Sequence, residues 1–121
     1  MVERIELTDE QMDRIFHALS QSTRRDMLRR TLEGERSVSE LAREYDMSFA
    51  AVHKHVSVLE RAELVVKRVA GRERRIRANP DMIARTRTLL AQYEAMWRAR
   101  IARLDELLAE DPNPSDSNAP A

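Results

Sequence analysis

Apolar positions recur at helical spacing along most of this chain, and one polar-faced segment stands apart from the rest. Residues 37–64 read as two helices joined by a turn of about three residues. Ser37 followed by Glu40 is a capping-box pattern that opens the first of them. Val38, Leu41, Ala42 and Tyr45 then recur at a spacing that faces a core. Asp46, Met47 and Ser48 break the period. Asp tolerates a left-handed turn, and Ser48 can cap the next helix. That helix, residues 48–62, carries Val52, Val56 and Leu59 on one side, with Phe49 at the edge. At about 100° per residue, Ala50, His53, Lys54, Ser57 and Arg61 fall on the other side. This is the anatomy of a helix-turn-helix, in which the second helix enters the DNA major groove. A plain helical hairpin with a solvated outer face has the same pattern, so the flanking sequence must decide.

Upstream, Thr8 and Gln11 form another capping-box pattern before an amphipathic helix marked by Met12, Ile15, Phe16 and Leu19. Ser20, Gln21 and Ser22 interrupt it and offer a cap to a second helix. The apolar side of that helix is Met27, Leu28, Thr31 and Leu32, and Gly34 supplies its stop. Residues 1–7 are short and mixed. After Leu64 the period changes to strand-like. Leu64, Val65, Val66 and Val69 lead to a hairpin loop at Ala70, Gly71, Arg72 and Glu73, and residues 74–77 return. Asn79 and Pro80 then open a long helix over residues 80–109. In it Ile83, Leu90, Trp97 and Leu104 repeat every seven residues. Tyr93, Ile101 and Leu108 widen that seam, which is coiled-coil-like. Residues 110–121 contain three Pro, two Ser, two Asn and no large apolar side chain, and are expected to be a disordered tail. The expected body is therefore one domain, residues 8–109, mostly α with a small β wing.

Composition sharpens this only in places. The 121 residues are 42% hydrophobic and 35% charged, with no cysteine and a net charge of zero. Without thiols there are no disulfides and no thiolate metal sites. Without a long apolar run or secretory pattern, a soluble cytoplasmic protein with no membrane partner is expected. Zero net charge argues weakly against nucleic acid, but the distribution is polarised. Residues 67–77 hold six bases and one acid, whereas residues 1–14 hold five acids and two bases. Catalysis finds no support, because the sequence offers no nucleophile–base set and no Gly-rich phosphate loop.

The order of four helices, hairpin and final helix makes a resemblance specific. The run MSFAAVHKHVSVLERAELV, followed by the basic VAGRERRIRANP hairpin, resembles the winged helix-turn-helix of the ArsR/SmtB family of bacterial transcriptional regulators. The resemblance covers residues 8–108. It is carried by the pattern Ser48, Val52, His55, Val56 and Leu59, and by Ser22, Thr23, Arg24 and Arg25 at the start of the second helix. Glu63 departs from it by standing where the family has Gly, His53 by standing where Ser is common, and Phe49 and Ala50 by replacing more polar residues.

The resemblance implies a recognition helix and a wing. On the helix, Ser48, Phe49, Ala50, His53, Lys54 and Ser57 are the candidate DNA contacts. Lys54 can donate to guanine or phosphate, His53 and Ser57 to base edges or phosphate, and Ala50 can lie against a thymine methyl. On the wing the candidates are Arg68, Arg72, Arg74 and Arg75, with Arg72 placed to enter a minor groove. A solubilising hairpin is the alternative for these arginines. His55 lies at the flank of the core and is either a packed histidine or a base contact.

The resemblance also implies a homodimer paired through the first and last helices. Ile15, Leu90, Tyr93, Trp97, Ile101, Leu104 and Leu108 are the candidate interface. An effector pocket around Tyr93, Met96 and Trp97 is the other reading of that surface. Family metal sensors carry Cys-Val-Cys where this chain has Ser37, Val38 and Ser39, and serine is a poor ligand for soft metals. His53 and His55 point about 200° apart on a helix and cannot share an ion. No metal or other cofactor is therefore expected. The expected function is repression by a dimer on a two-fold operator in double-stranded DNA, with a small organic molecule, a protein or nothing as effector. A protein-interaction module built on the same fold is the alternative.

Overall fold

The computed structural model describes residues 6–110. Residues 1–5 and residues 111–121 of the expected tail lie outside that range, whereas Glu110, expected in the tail, is still in the last helix. Eight elements follow in order: α1 (Asp9–Leu19), α2 (Ser22–Glu33), β1 (Arg36–Ser37), α3 (Val38–Glu44), α4 (Phe49–Arg61), β2 (Val65–Ala70), β3 (Glu73–Ala78) and α5 (Pro80–Glu110). The fold is a mostly helical winged helix-turn-helix with a long C-terminal helix, as the pattern predicts. Contacts group the chain into a first unit through Arg87 and a second from Thr88 onward.

Local chemistry sets the helix starts. Thr8 and Gln11 exchange both capping-box bonds at α1, and Ser37 and Glu40 do the same at α3. The Ser48 hydroxyl accepts the Ala51 N–H at 3.1 Å and opens α4. α2 differs from expectation, since Gln21 is its N-cap and makes no side-chain cap. Gly34 ends α2 in extended backbone, so its position requires no left-handed conformation. The turn between α3 and α4 is likewise built without one at Asp46. Among the described residues only Glu63 and Gly71 have φ in the left-handed region, at 61° and 64°.

The wing is a three-stranded antiparallel sheet in the order β1-β3-β2, not a two-stranded hairpin. β1 is only two residues long, pairing Arg36 with Ile76 and Ser37 with Arg75. So short a strand leaves no alternation to read in the sequence, and Ser37 had already signalled a cap. β2 and β3 pair from Val65 opposite Ala78 to Ala70 opposite Glu73, with Gly71 and Arg72 forming the tight loop.

The core of the first unit takes Ile15 and Ala18 from α1, Met27 and Leu28 from α2, Val38 and Leu41 from α3, and Val52, Val56 and Leu59 from α4. Ala62, Leu64, Val65, Ile76 and Met82 close it. Around this core a polar network joins α2 to α3. Tyr45 Oη donates to Asp26 at 2.6 Å, and Arg30 bonds Asp26 at 2.8 Å and Glu44 at 3.0 Å. The Tyr45 hydroxyl, then Arg30 and Arg29, hold the Asp26 carboxyl well below the usual carboxylate range. The second unit is the rest of α5, whose apolar residues from Leu90 to Leu108 are exposed in the single chain.

The end of α4 shows how this chain manages without a glycine. The Leu64 N–H bonds Leu59 O at 3.1 Å and the Glu63 N–H bonds Glu60 O at 2.9 Å, the paired closure of a Schellman motif. That motif places Glu63 in the left-handed region, at a cost of about 1–2 kcal/mol for a side chain with Cβ. Asn79 holds the turn by donating from Nδ2 to Glu63 O at 2.9 Å. Glu63→Gly should relieve the strain while adding about 0.5–1 kcal/mol of unfolded-state entropy. A net gain of about 0.5–1 kcal/mol is expected, read as a higher urea midpoint at constant slope. A lower midpoint would mean that the Glu63 side chain contributes more than the strain removes.

Candidate nucleic-acid interface

Burial of Val52, Val56 and Leu59 sets the rotation of α4 about its own axis. The residues left facing outward are those the helical wheel assigns. Phe49, Ala50, Lys54 and Arg61 are exposed, and His53 and Ser57 are partly so. Ser48, the N-cap, is exposed as well. The Phe49 and His53 rings, one turn apart, stack with centroids 6.5 Å apart and planes 20° from parallel.

His55 takes the packed alternative. Arg24 at the start of α2 is only 4% exposed. Its guanidinium donates to Ala18 O at 2.9 Å, His17 O at 2.9 Å and Gln21 Oε1 at 3.0 Å, and meets His55 Nδ1 at 3.2 Å. The guanidinium has only donors, so Nδ1 must accept and the imidazole must be neutral. Arg24 thus satisfies carbonyls at the end of α1 while bracing the middle of α4. The sequence pattern around Ser22 marks this position, but nothing in it announces the clamp.

The wing arginines divide. Arg68 reaches Glu35 at 2.7 Å and Arg75 reaches the same carboxylate at 2.9 Å. Arg68, then Arg75, hold the Glu35 carboxyl below its ordinary range through these hydrogen bonds. Arg75 also pairs with Glu73 at 3.1 Å. Arg75, a candidate DNA contact, is thus engaged by acids in the single chain and ties the wing to the loop before β1. Arg68 is half-exposed but shares that tie. Glu35 carried no sequence signal, because its partners lie 33 and 40 residues away. Arg72 and Arg74, at the tip, are exposed and make no ion pair among the described residues.

The tip and the helix meet at one place. A cavity of about 570 Å³ is lined by Ser37, Val38 and Ser39 from the start of α3, by Phe49, Ala50 and His53 from α4, and by Arg72, Glu73 and Arg74 from the wing. Ser37 is itself buried, with its hydroxyl accepting the Glu40 N–H. No cluster of three metal-ligating side chains occurs among the described residues. None of their helices is long and apolar enough to cross a membrane.

The expected pairing surface needs one correction. Ile15 is 1% exposed and packed in the core, so it has no surface to offer a partner. Helical spacing identified α1's apolar face but could not say which of its residues the chain's own core would consume. Phe16 is the large exposed apolar residue of α1. Leu90, Tyr93, Trp97, Ile101, Leu104 and Leu108 are all exposed along α5.

An outward polar face on the second helix of the motif, beside an arginine-tipped wing, defines a winged helix-turn-helix DNA-binding protein. Comparison with known proteins agrees. The helix-turn-helix domain family matches residues 19–68. The HTH-type transcriptional regulator Rv2034 of Mycobacterium tuberculosis is 40% identical over 81 residues, which is 67% of this chain and 76% of that relative. An ArsR-like transcriptional regulator from Rhodococcus sp. RHA1 superposes with a TM-score of 0.74 at 31% identity, covering 81% of this chain and 92% of that one. A homodimeric winged helix-turn-helix domain of Mb0332 from Mycobacterium bovis shares the fold, with a TM-score of 0.57 at 21% identity over 93% of this chain and 94% of that one. The chain belongs to the ArsR family and is a DNA-binding transcriptional regulator.

The Arg24–His55 contact carries a pH dependence. Burial first, then the charges of Arg24 and Lys54, lower the His55 pKa below its ordinary value. Above about pH 6.5 the imidazole is neutral in both folded and unfolded chains. Below it the unfolded chain takes up the proton first, so stability should fall as the pH drops. Urea unfolding at pH 7.5 and 5.5 should show this loss, and it should be smaller in His55→Gln. An equal loss in the variant would place the titration elsewhere.

Proposed function

We propose that the protein represses transcription as a homodimer seated on a two-fold operator, occluding a promoter. The observation that carries this reading is the shared cavity, where the N-terminal turns of α4 and the wing tip face the same space. A recognition helix in a major groove and a wing on the adjoining backbone require that arrangement. Lys54, His53 and Ser57 would contact base edges and phosphates, with Phe49 and Ala50 against apolar base edges. Arg72 and Arg74 would neutralise phosphate or enter the minor groove, with Arg68 at its margin. Ser48 would hold the start of the helix against the backbone.

The dimer is supported by the exposed heptad seam of α5 and by the homodimeric state of the Mycobacterium bovis relative. Two-fold pairing would set the recognition helices about one DNA turn apart, roughly 34 Å. Residues 8–109 would form the working unit. Soft-metal sensing at the start of α3 is disfavoured by the serines there, one of which is already occupied as a helix cap. Release would then fall to a small organic ligand or a protein partner, or the repression would be constitutive. Work on chromosomal DNA would place the protein in the cytoplasm.

Two variants separate the helix from the wing. Lys54→Ala should weaken operator binding by about 1–3 kcal/mol and relax sequence preference. Arg72→Ala with Arg74→Ala should weaken operator and generic duplex alike. It should also reduce the slope of log affinity against log salt by about two per protomer. Fluorescence anisotropy across a salt series measures both. Unchanged affinity and selectivity in Lys54→Ala, or an unchanged slope in the wing variant, would contradict the placement of that element on DNA.

A further inference from the structure

We propose that Phe49 reads the 5-methyl group of a thymine in each operator half-site. The inference rests on the reading of α4 as the recognition helix and assigns one base to one residue. Phe49 opens α4 and is 54% exposed, whereas Val52, Val56 and Leu59 farther along the helix are buried against the core. It does not complete the core and it is not loose. The His53 ring stacks on it from one turn below, which restricts how the Phe49 ring can turn. The first turn of a recognition helix is also the part that meets base edges.

The surroundings narrow what the ring can meet. Phe49, Ala50 and Val38 give the cavity beside the wing an apolar wall, and Arg72 and Arg74 contribute cations to the same cavity, where the Glu73 carboxylate between them is paired with Arg75. Neither arginine has an ion-pair partner among the described residues, in contrast to Arg75. The space therefore suits an object with an apolar group on one edge and negative charge on another. A DNA strand has both in its base edges and phosphates. In the major groove, thymine alone among the four bases presents an apolar substituent, its C5 methyl. Phe49 and Ala50 bring no side-chain hydrogen-bonding group to that wall, and their apolar surface suits a methyl.

The test uses the full chain and the operator duplex recovered by selection from random DNA. Each thymine of a half-site is replaced in turn by deoxyuridine, which removes only the methyl, and binding is measured at fixed salt. One position per half-site should matter. Losing that methyl should weaken binding about fourfold, and losing it in both half-sites about fifteenfold, from the transfer of one buried methyl group. Phe49→Ala should bind the thymine and deoxyuridine duplexes alike, while Lys54→Ala should keep the difference. Because Phe49 is outside the core, circular dichroism should show the variant folded. Selective operator binding with no sensitive thymine, or a Phe49→Ala protein that keeps the sensitivity, overturns the proposal. So does tight capture of a small aromatic acid such as salicylate in that cavity with no thymine effect. If no salt-sensitive duplex binding occurs at all, the DNA reading fails as well, and that outcome is distinct from the others.

Discussion

The rotation of α4 about its axis is the constraint on which the rest depends. Val52, Val56 and Leu59 are buried together, and each is worth about 1.5–3 kcal/mol relative to exposure. Turning the helix by one residue would bring His53 toward the core and expose Val52. No surface contact on the helix could offset that loss, since exposed ion pairs contribute at most about 1 kcal/mol. Core packing therefore determines which side chains face away from the protein. Lys54 and Ser57 face outward because the valines face inward.

Two polar clamps fix what packing alone would leave loose. Arg24 braces α4 at His55 while satisfying carbonyls at the end of α1, and so couples α4 to α1. Glu35 holds Arg68 and Arg75 and thereby ties the wing to the loop before β1. These clamps also explain how a chain with zero net charge can present a basic surface. Many of its acids are engaged internally by arginines, as at Asp26, Glu35 and Glu44. Arg72 and Arg74 at the wing tip have no such partner among the described residues. Net charge reports the sum, whereas DNA responds to the local field.

Much of this was legible from periodicity and caps. The two capping boxes, the Ser48 cap, the inward and outward faces of α4 and the Gly71 hairpin all follow from interactions within a few residues. The missed features depend on distant partners or on competition for burial. β1 exists because β3 lies beside it. Arg75 is paired within the chain because Glu35, 40 residues earlier in sequence, folds against it. Ile15 belongs to the core and not to a partner, a distinction that helical spacing cannot make. At Glu63 the sequence marked an oddity, and the structure supplies its physical content as a left-handed residue with a side chain.

The central claim is that α4 and the wing tip form one DNA-reading surface, doubled by a two-fold axis. Selection of bound fragments from a random-sequence duplex pool tests it most directly. The account predicts enrichment of an inverted repeat whose half-sites are centred about one helical turn apart. Failure to enrich any sequence, or enrichment of a site without two-fold symmetry, would contradict it.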